Sequence, residues 1–179
     1  MRRSLSTLMA AVAIGAVVPA VAATPAHAGP GPFYWLINVD SGKAVMPYNE
    51  SKATGAAMVQ RTSGNLGAQH WKIEGSGTHR VLYNRNSHLC LLAPIGGDSV
   101  LRQQYCNDTT GDLTGRRPIW RSSNHDAMWA GLPVTWRSDF SDQCMDALEA
   151  GTADDTLIIQ YPCHGGPNQQ FRLVYVPGT

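Results

Sequence analysis

Charge is scarce in this chain, with Asp, Glu, Lys and Arg making up 15% of its 179 residues. That density excludes long helices laced by i,i+4 ion pairs. Setting aside Arg2 and Arg3 in the first 28 residues leaves 12 basic residues against 13 acidic ones. Such a near-neutral surface lacks the clustered cations that nucleic acids and anionic membranes require, so neither is expected as a partner. Arg116-Arg117, the one basic pair beyond the leader, reads as a solvated loop. No stretch after residue 28 is apolar enough to span a bilayer. The chain also lacks a Gly-x-Ser-x-Gly elbow, a His-Glu-x-x-His helix motif and a phosphate loop; Gly96-Gly97 and Gly165-Gly166 are turn glycines. It has no Cys-x-x-Cys pair, so neither a metal nor another cofactor is expected.

Catalysis needs a convergent acid/base or nucleophile set. His70, His79, His88, His125 and His164 are scattered across turn-rich sequence, and His27 falls in the leader. The run Ser122-Ser123-Asn124-His125-Asp126 reads as a loop whose adjacent side chains do not converge, and the spacing of Asp142 and Asp146 does not establish a glycosidase pair. The sequence reads as non-catalytic.

The start of the chain has the form of a secretory leader. Arg2-Arg3 precedes an apolar run from Leu8 to Val21, and Ala26-His27-Ala28 offers small residues at a cleavage site. Residues 1–28 are therefore expected to be a signal peptide and 29–179 a single secreted domain of about 150 residues, large enough for a real core. All four cysteines, Cys90, Cys106, Cys144 and Cys163, lie beyond the leader, and an even count in an oxidising compartment reads as two disulfides. Taken alone, four cysteines allow three pairings.

An internal repeat organises the rest. Three blocks, 37–44, 83–90 and 137–144, align without gaps on Ala44, Cys90 and Cys144. Each has a serine three places earlier, and Asn38, Asn84 and Ser138 coincide. The far ends match as well: Gln69-His70-Trp71, Pro118-Ile119-Trp120 and Gln169-Gln170-Phe171 close the repeats, with 49 and 51 residues between successive aromatics. Short apolar segments such as Tyr34–Ile37, Ala57–Gln60, Val81–Tyr83 and Leu157–Gln160 alternate with Gly, Asn, Asp, Ser and Pro, which indicates an all-β domain. Ala147–Ala150 has the composition of one helical turn, stopped by Gly151. Repeats of about 33–78, 79–125 and 126–176, each of four strands, are too small to bury a core alone and are expected to close around a shared axis. Trp71, Trp120 and Phe171 are then equivalent core residues. The matching slots of the cysteines favour Cys90–Cys106 and Cys144–Cys163, each closing a loop worth on the order of 3 kcal/mol.

Residues 144–171 open with Cys144-Met145-Asp146, place Tyr161 two residues before Cys163 and close on Asn168-Gln169-Gln170-Phe171. This resembles the ricin-type β-trefoil lectin domain, also classed among carbohydrate-binding modules, and the resemblance extends over roughly 33–176. It implies a β-trefoil of pseudo-threefold symmetry in which each repeat can carry a shallow sugar site. In that family the opening Asp accepts hydrogen bonds from sugar hydroxyls, an aromatic stacks on the ring, and the closing Asn and Gln add contacts. Carried over by position, the third repeat supplies Asp146, Tyr161, Asn168 and Gln169. Two departures stand out: Phe171 replaces the usual Trp, and Ile159 stands where the family often has Gln, with Gln160 expected on the opposite strand face. The second repeat has Leu92 and Gln104 at the Asp and aromatic slots, with Tyr105 one place off, and the first has Met46 and Arg61; both read as scaffold. The implied function is a secreted, monomeric lectin-like protein binding a galactose- or xylan-like glycan mainly through its third repeat. The alternative is a β-trefoil that has lost sugar binding and serves as a protein-interaction or inhibitor module.

Overall fold

The computed structural model describes residues 32–94, 99–106 and 118–179. The leader, Gly96-Gly97 and Arg116-Arg117 lie outside the described residues. Among the described residues no helix is long and apolar enough to cross a membrane.

Among the described residues, twelve strands fall into three sets of four. The first set is β1 (Phe33–Asn38), β2 (Ala44–Pro47), β3 (Met58–Arg61) and β4 (His70–Glu74). The second is β5 (His79–Asn84), β6 (Cys90–Leu92), β7 (Arg102–Gln104) and β8 (Ile119–Ser122). The third is β9 (Val134–Ser138), β10 (Cys144–Ala147), β11 (Ile158–Tyr161) and β12 (Gln170–Tyr175). The outer strands of each set pair antiparallel in a closed ring, β1–β4–β5–β8–β9–β12 and back to β1. The inner strands form three hairpins, β2–β3, β6–β7 and β10–β11, hung from that ring. A six-stranded barrel capped by three hairpins is a β-trefoil, and closure leaves the barrel without a free edge.

The aligned polar residues of the three blocks build the same turn. The Asn38 Oδ1 accepts from the backbone N–H groups of Asp40 and Ser41, the Asn84 Oδ1 from Asn86 and Ser87, and the Ser138 Oγ from Phe140 and Ser141. A short side chain that mimics a backbone turn is why Asn and Ser occupy this corner. A second set of equivalent residues ties the repeats together in a cycle. Gln60 Nε2 donates to the Gly151 carbonyl at 2.7 Å, Gln103 Nε2 to Ser51 and Ala53 at 2.8 Å each, and Gln160 Nε2 to Pro94 at 2.8 Å. Each glutamine is buried and reaches into the preceding repeat, so every interface in the ring carries an amide N–H bonded across it.

One core cluster draws on all three repeats. Leu36, Met58 and Trp71 meet Leu82, Leu101 and Trp120, together with Trp136, Ile158 and Phe171. The Trp71 and Trp120 indoles donate to the carbonyls of Val45 and Leu91, both at 2.9 Å. Phe171 cannot make that bond. In the same repeat Trp136 stands where the others have Leu36 and Leu82, so the third repeat keeps its core volume by exchanging the sizes of two positions. The disulfides are Cys90–Cys106 and Cys144–Cys163, each with Cα atoms 5.1 Å apart.

The stretch around 122–126 differs from the loop expected of it. Ser122 ends β8, and His125–Trp129 forms a short helix, α1, whose N-cap Asn124 accepts from the Ala127 N–H at 3.0 Å. The turn at Leu148–Ala150 is a single 3-10 turn whose Glu149 has a φ of 53°.

His70 introduces a pH dependence. It is 1% exposed, and burial, with the charge of Arg85 adding to it, holds its imidazole below the usual range. The unfolded state therefore takes up a proton that the native state refuses as pH falls below about 6.5. Stability is expected to decline from that point downward, and His70→Gln to flatten the decline in melting curves taken between about pH 7 and 5. Asp154 and Asp155, held low by Lys43 and Arg61 respectively, act only at more acid pH and leave this window clear.

Candidate functional site

The site is built on the β10–β11 hairpin. Cys144 pairs with Tyr161 and Asp146 with Ile159, so strand alternation sends Asp146 and Ile159 to one face while Gln160 turns away to bond Pro94. A pocket of about 530 Å³ opens there, with Asp146, Ile159 and Asn168 below and Tyr161, His164 and Leu148 around it. Tyr161 is 51% exposed and presents its ring as the wall.

Asp146 is 3% exposed, and two amides fix its carboxylate. The Asn168 Nδ2 donates to Oδ1 at 2.9 Å and the Gln169 Nε2 to Oδ2 at 2.8 Å. A carboxylate offers about four acceptor positions, and with His164 Nε2 also 3.3 Å from Oδ2 about one remains for another donor. A carboxylate held by two amides keeps its orientation, and a carboxylate oxygen is a strong acceptor for a hydroxyl donor.

Gln169 does not reach the pocket. It is fully buried, with Oε1 accepting from the backbone of His164 and Gly165 and Nε2 shared between Asp146 and the Pro162 carbonyl. Its role is to position the carboxylate and the 162–165 loop, not to touch what enters. The 3-10 turn Pro167–Gln169 sets both amides toward Asp146.

His164 is the residue sequence reasoning missed. Its Nδ1 accepts from the Gly166 N–H at 3.1 Å, which leaves the proton on Nε2, 3.3 Å from Asp146 Oδ2. Its ring meets Tyr161 edge-on with centroids 6.2 Å apart, so it braces the pocket wall. Only its position after Cys163 could have drawn attention, and no periodicity marks it.

Glu149 and Ala150, at the pocket rim, have φ values of 53° and 51°. The equivalent Asn49 and Glu50 have 52° and 55° beside a slot that holds no carboxylate, so this strained pair belongs to the scaffold. In that first repeat Met46 is fully buried against Val59, Ala68 and Leu157, while Arg61 is engaged by Asp155 through bonds of 2.6 and 2.7 Å. In the second, Leu92 and the half-buried Gln104 occupy the slots, and Tyr105 is 62% exposed one place beyond. Among the described residues no group of three His, Cys, Asp or Glu side chains gathers as a metal site.

The model of a family described as ricin-type beta-trefoil lectin domain-like matches residues 23–110. Over those residues the chain is similar to that lectin-like domain. A comparison with curated proteins finds no match. Among solved structures, this β-trefoil is similar to the designed threefold-symmetric protein ThreeFoil, at 27% identity and a TM-score of 0.67 over 79% of this chain and 97% of that one. It is similar also to the exo-β-1,3-galactanase 1,3Gal43A from Clostridium thermocellum, at 24% identity and a TM-score of 0.67 over 81% of this chain. That alignment spans 30% of the galactanase. The C-half of the earthworm R-type lectin, solved with GalNAc, aligns at 16% identity and a TM-score of 0.62 over 82% of this chain and all of that one. At these identities the latter two relate the ricin-type domain to their proteins by fold alone.

Proposed function

We propose that this protein is a secreted lectin that binds a galactose- or xylan-like glycan through the pocket of its third repeat, without catalysing a reaction on it. The observation that carries the reading is the Asp146 carboxylate, buried, amide-fixed and retaining an open acceptor position beneath the half-exposed Tyr161 ring. Carboxylate and flat ring together match the two faces of a pyranose, hydroxyl edge and C–H face. Asn168 lines the same pocket and its amide holds Asp146. The lectin-like domain and two disulfides support an extracellular protein, in keeping with the leader.

A single shallow pocket binds weakly, with Kd on the order of 0.1–1 mM. A glycan-array screen of the mature protein, run beside Tyr161→Ala, tests the reading. The wild type should be retained on galactan- or xylan-type glycans, and the variant should bind about three- to tenfold less tightly, the range expected for a lost stacking face. Equal retention of the two proteins on every glycan would remove Tyr161 from the site.

A further inference from the structure

The glycan pocket continues across the sheet. Tyr161 pairs with Cys144, Cys144 with Arg137, Arg137 with Arg121 and Arg121 with His79, so these side chains stand in one row across β11, β10, β9, β8 and β5. Neighbouring strands lie about 4.8 Å apart, which sets Arg121 about 14 Å from Tyr161 along the row. The Cys144–Cys163 disulfide crosses the row, and on its far side lies a second pocket of about 400 Å³. Thr78, Ser122, Ser123, Thr135 and the two arginines line it.

Its chemistry is polar, built and neutral. Asp142 takes the Arg121 Nη2 on Oδ1 at 2.9 Å and the Arg137 Nη2 on Oδ2 at 2.7 Å, and its carbonyl accepts the Arg137 Nε at 2.8 Å. Asp139 sits 2.9 Å from the Arg121 Nε. Two guanidiniums are thus held in fixed planes by two carboxylates, with no net charge left to draw an anion. Exposed ion pairs of this kind add little stability, so orientation is their main effect. Thr135, which alternates with the buried Trp136 and so faces outward beside Arg137, and the exposed Ser123 add hydroxyls to the same face. The corresponding groove of the first repeat, beside Trp35, Ser63 and Arg172, has Gly42 where Asp142 stands and lacks the paired acids.

We infer that the pocket beyond the disulfide is an extension subsite for a further neutral sugar unit, so that the preferred ligand is an oligosaccharide lying from Tyr161 across Cys163 to Arg137 and Thr135. This rests on the reading of the third-repeat pocket as a glycan site. Fixed guanidiniums and hydroxyls donate to and accept from sugar hydroxyls, and the neutral balance selects an uncharged chain over a uronate or sulfated one.

Calorimetric titration with xylose against xylotetraose, and galactose against β-1,3-galactotetraose, tests it. For the bound series the tetrasaccharide should bind at least about tenfold more tightly than its monosaccharide. Thr135→Ala and Arg137→Gln should each weaken the tetrasaccharide about fivefold while leaving the monosaccharide within about twofold. Raising salt to about 0.5 M, which screens exposed charge, should change neither by more than about twofold. Melting temperatures check that both variants remain folded. Equal affinity for the two lengths, or equal weakening of both by the variants, overturns the subsite while leaving the Tyr161 pocket standing. A wild type that binds neither sugar in either series overturns both together.

Discussion

Replacing Asp146 with alanine is expected to abolish measurable glycan binding while leaving a folded protein. A hydrogen bond to a charged acceptor contributes about 1.5–3 kcal/mol, and the carboxylate has about one position to give, so losing it raises Kd at least about tenfold. Starting from a Kd on the order of 0.1–1 mM, that moves the variant out of practical range. The fold should survive because the two amides keep other partners. Gln169 Nε2 still reaches the Pro162 carbonyl at 3.0 Å, and Asn168 Nδ2 has the Ala147 carbonyl at 3.4 Å. Affinity electrophoresis on galactan and xylan, with circular dichroism melts alongside, reads both halves of the expectation. Retention of Asp146→Ala equal to wild type would place binding elsewhere on the molecule.

Trp120→Ala is expected to have the largest effect on stability, a loss of about 3–5 kcal/mol. The side chain is 1% exposed within the shared core, and its removal both opens a cavity and leaves the Leu91 carbonyl without its indole donor. For a domain of this size the melting temperature should fall by about 10–15 °C. Trp120→Phe should cost much less, because the third repeat already carries Phe171 at the equivalent place. Equal losses for the two substitutions would mean that the hydrogen bond, not the volume, dominates at this position.

The threefold architecture was legible because the repeats preserve residues whose chemistry is local. Asn38, Asn84 and Ser138 each fold their own turn, and Trp71, Trp120 and Phe171 each fill a core position, so a gap-free alignment picked them out. The cyclic bonds of Gln60, Gln103 and Gln160 were not recognised, since each spans two repeats and depends on how they pack. The helix at His125–Trp129 escaped because five residues are too few to show a helical period. Nor could the exchange of Trp136 for Phe171 be read, because size compensation shows only once the positions share a core.

At the candidate site, the resemblance to the ricin-type lectin domain named Asp146, Tyr161, Asn168 and Gln169, and the structure gathers the first three around one pocket. It could not say that Gln169 faces inward, because the 3-10 turn at Pro167–Gln169 decides which way each amide points. His164 was illegible for a related reason. Its closeness to Asp146 is a property of the loop beyond the disulfide, where neither strand nor helix periodicity applies.

The proposal turns on one live pocket among three repeats. Nuclear magnetic resonance titration of the mature protein with galactan- and xylan-derived oligosaccharides tests that most directly. One saturable set of shifts at Tyr161, His164 and Asn168 is expected, with Met46, Arg61, Leu92 and Gln104 unmoved. Shifts that centre on the first or second repeat, or that leave Tyr161 and Asn168 unchanged at saturation, would contradict it.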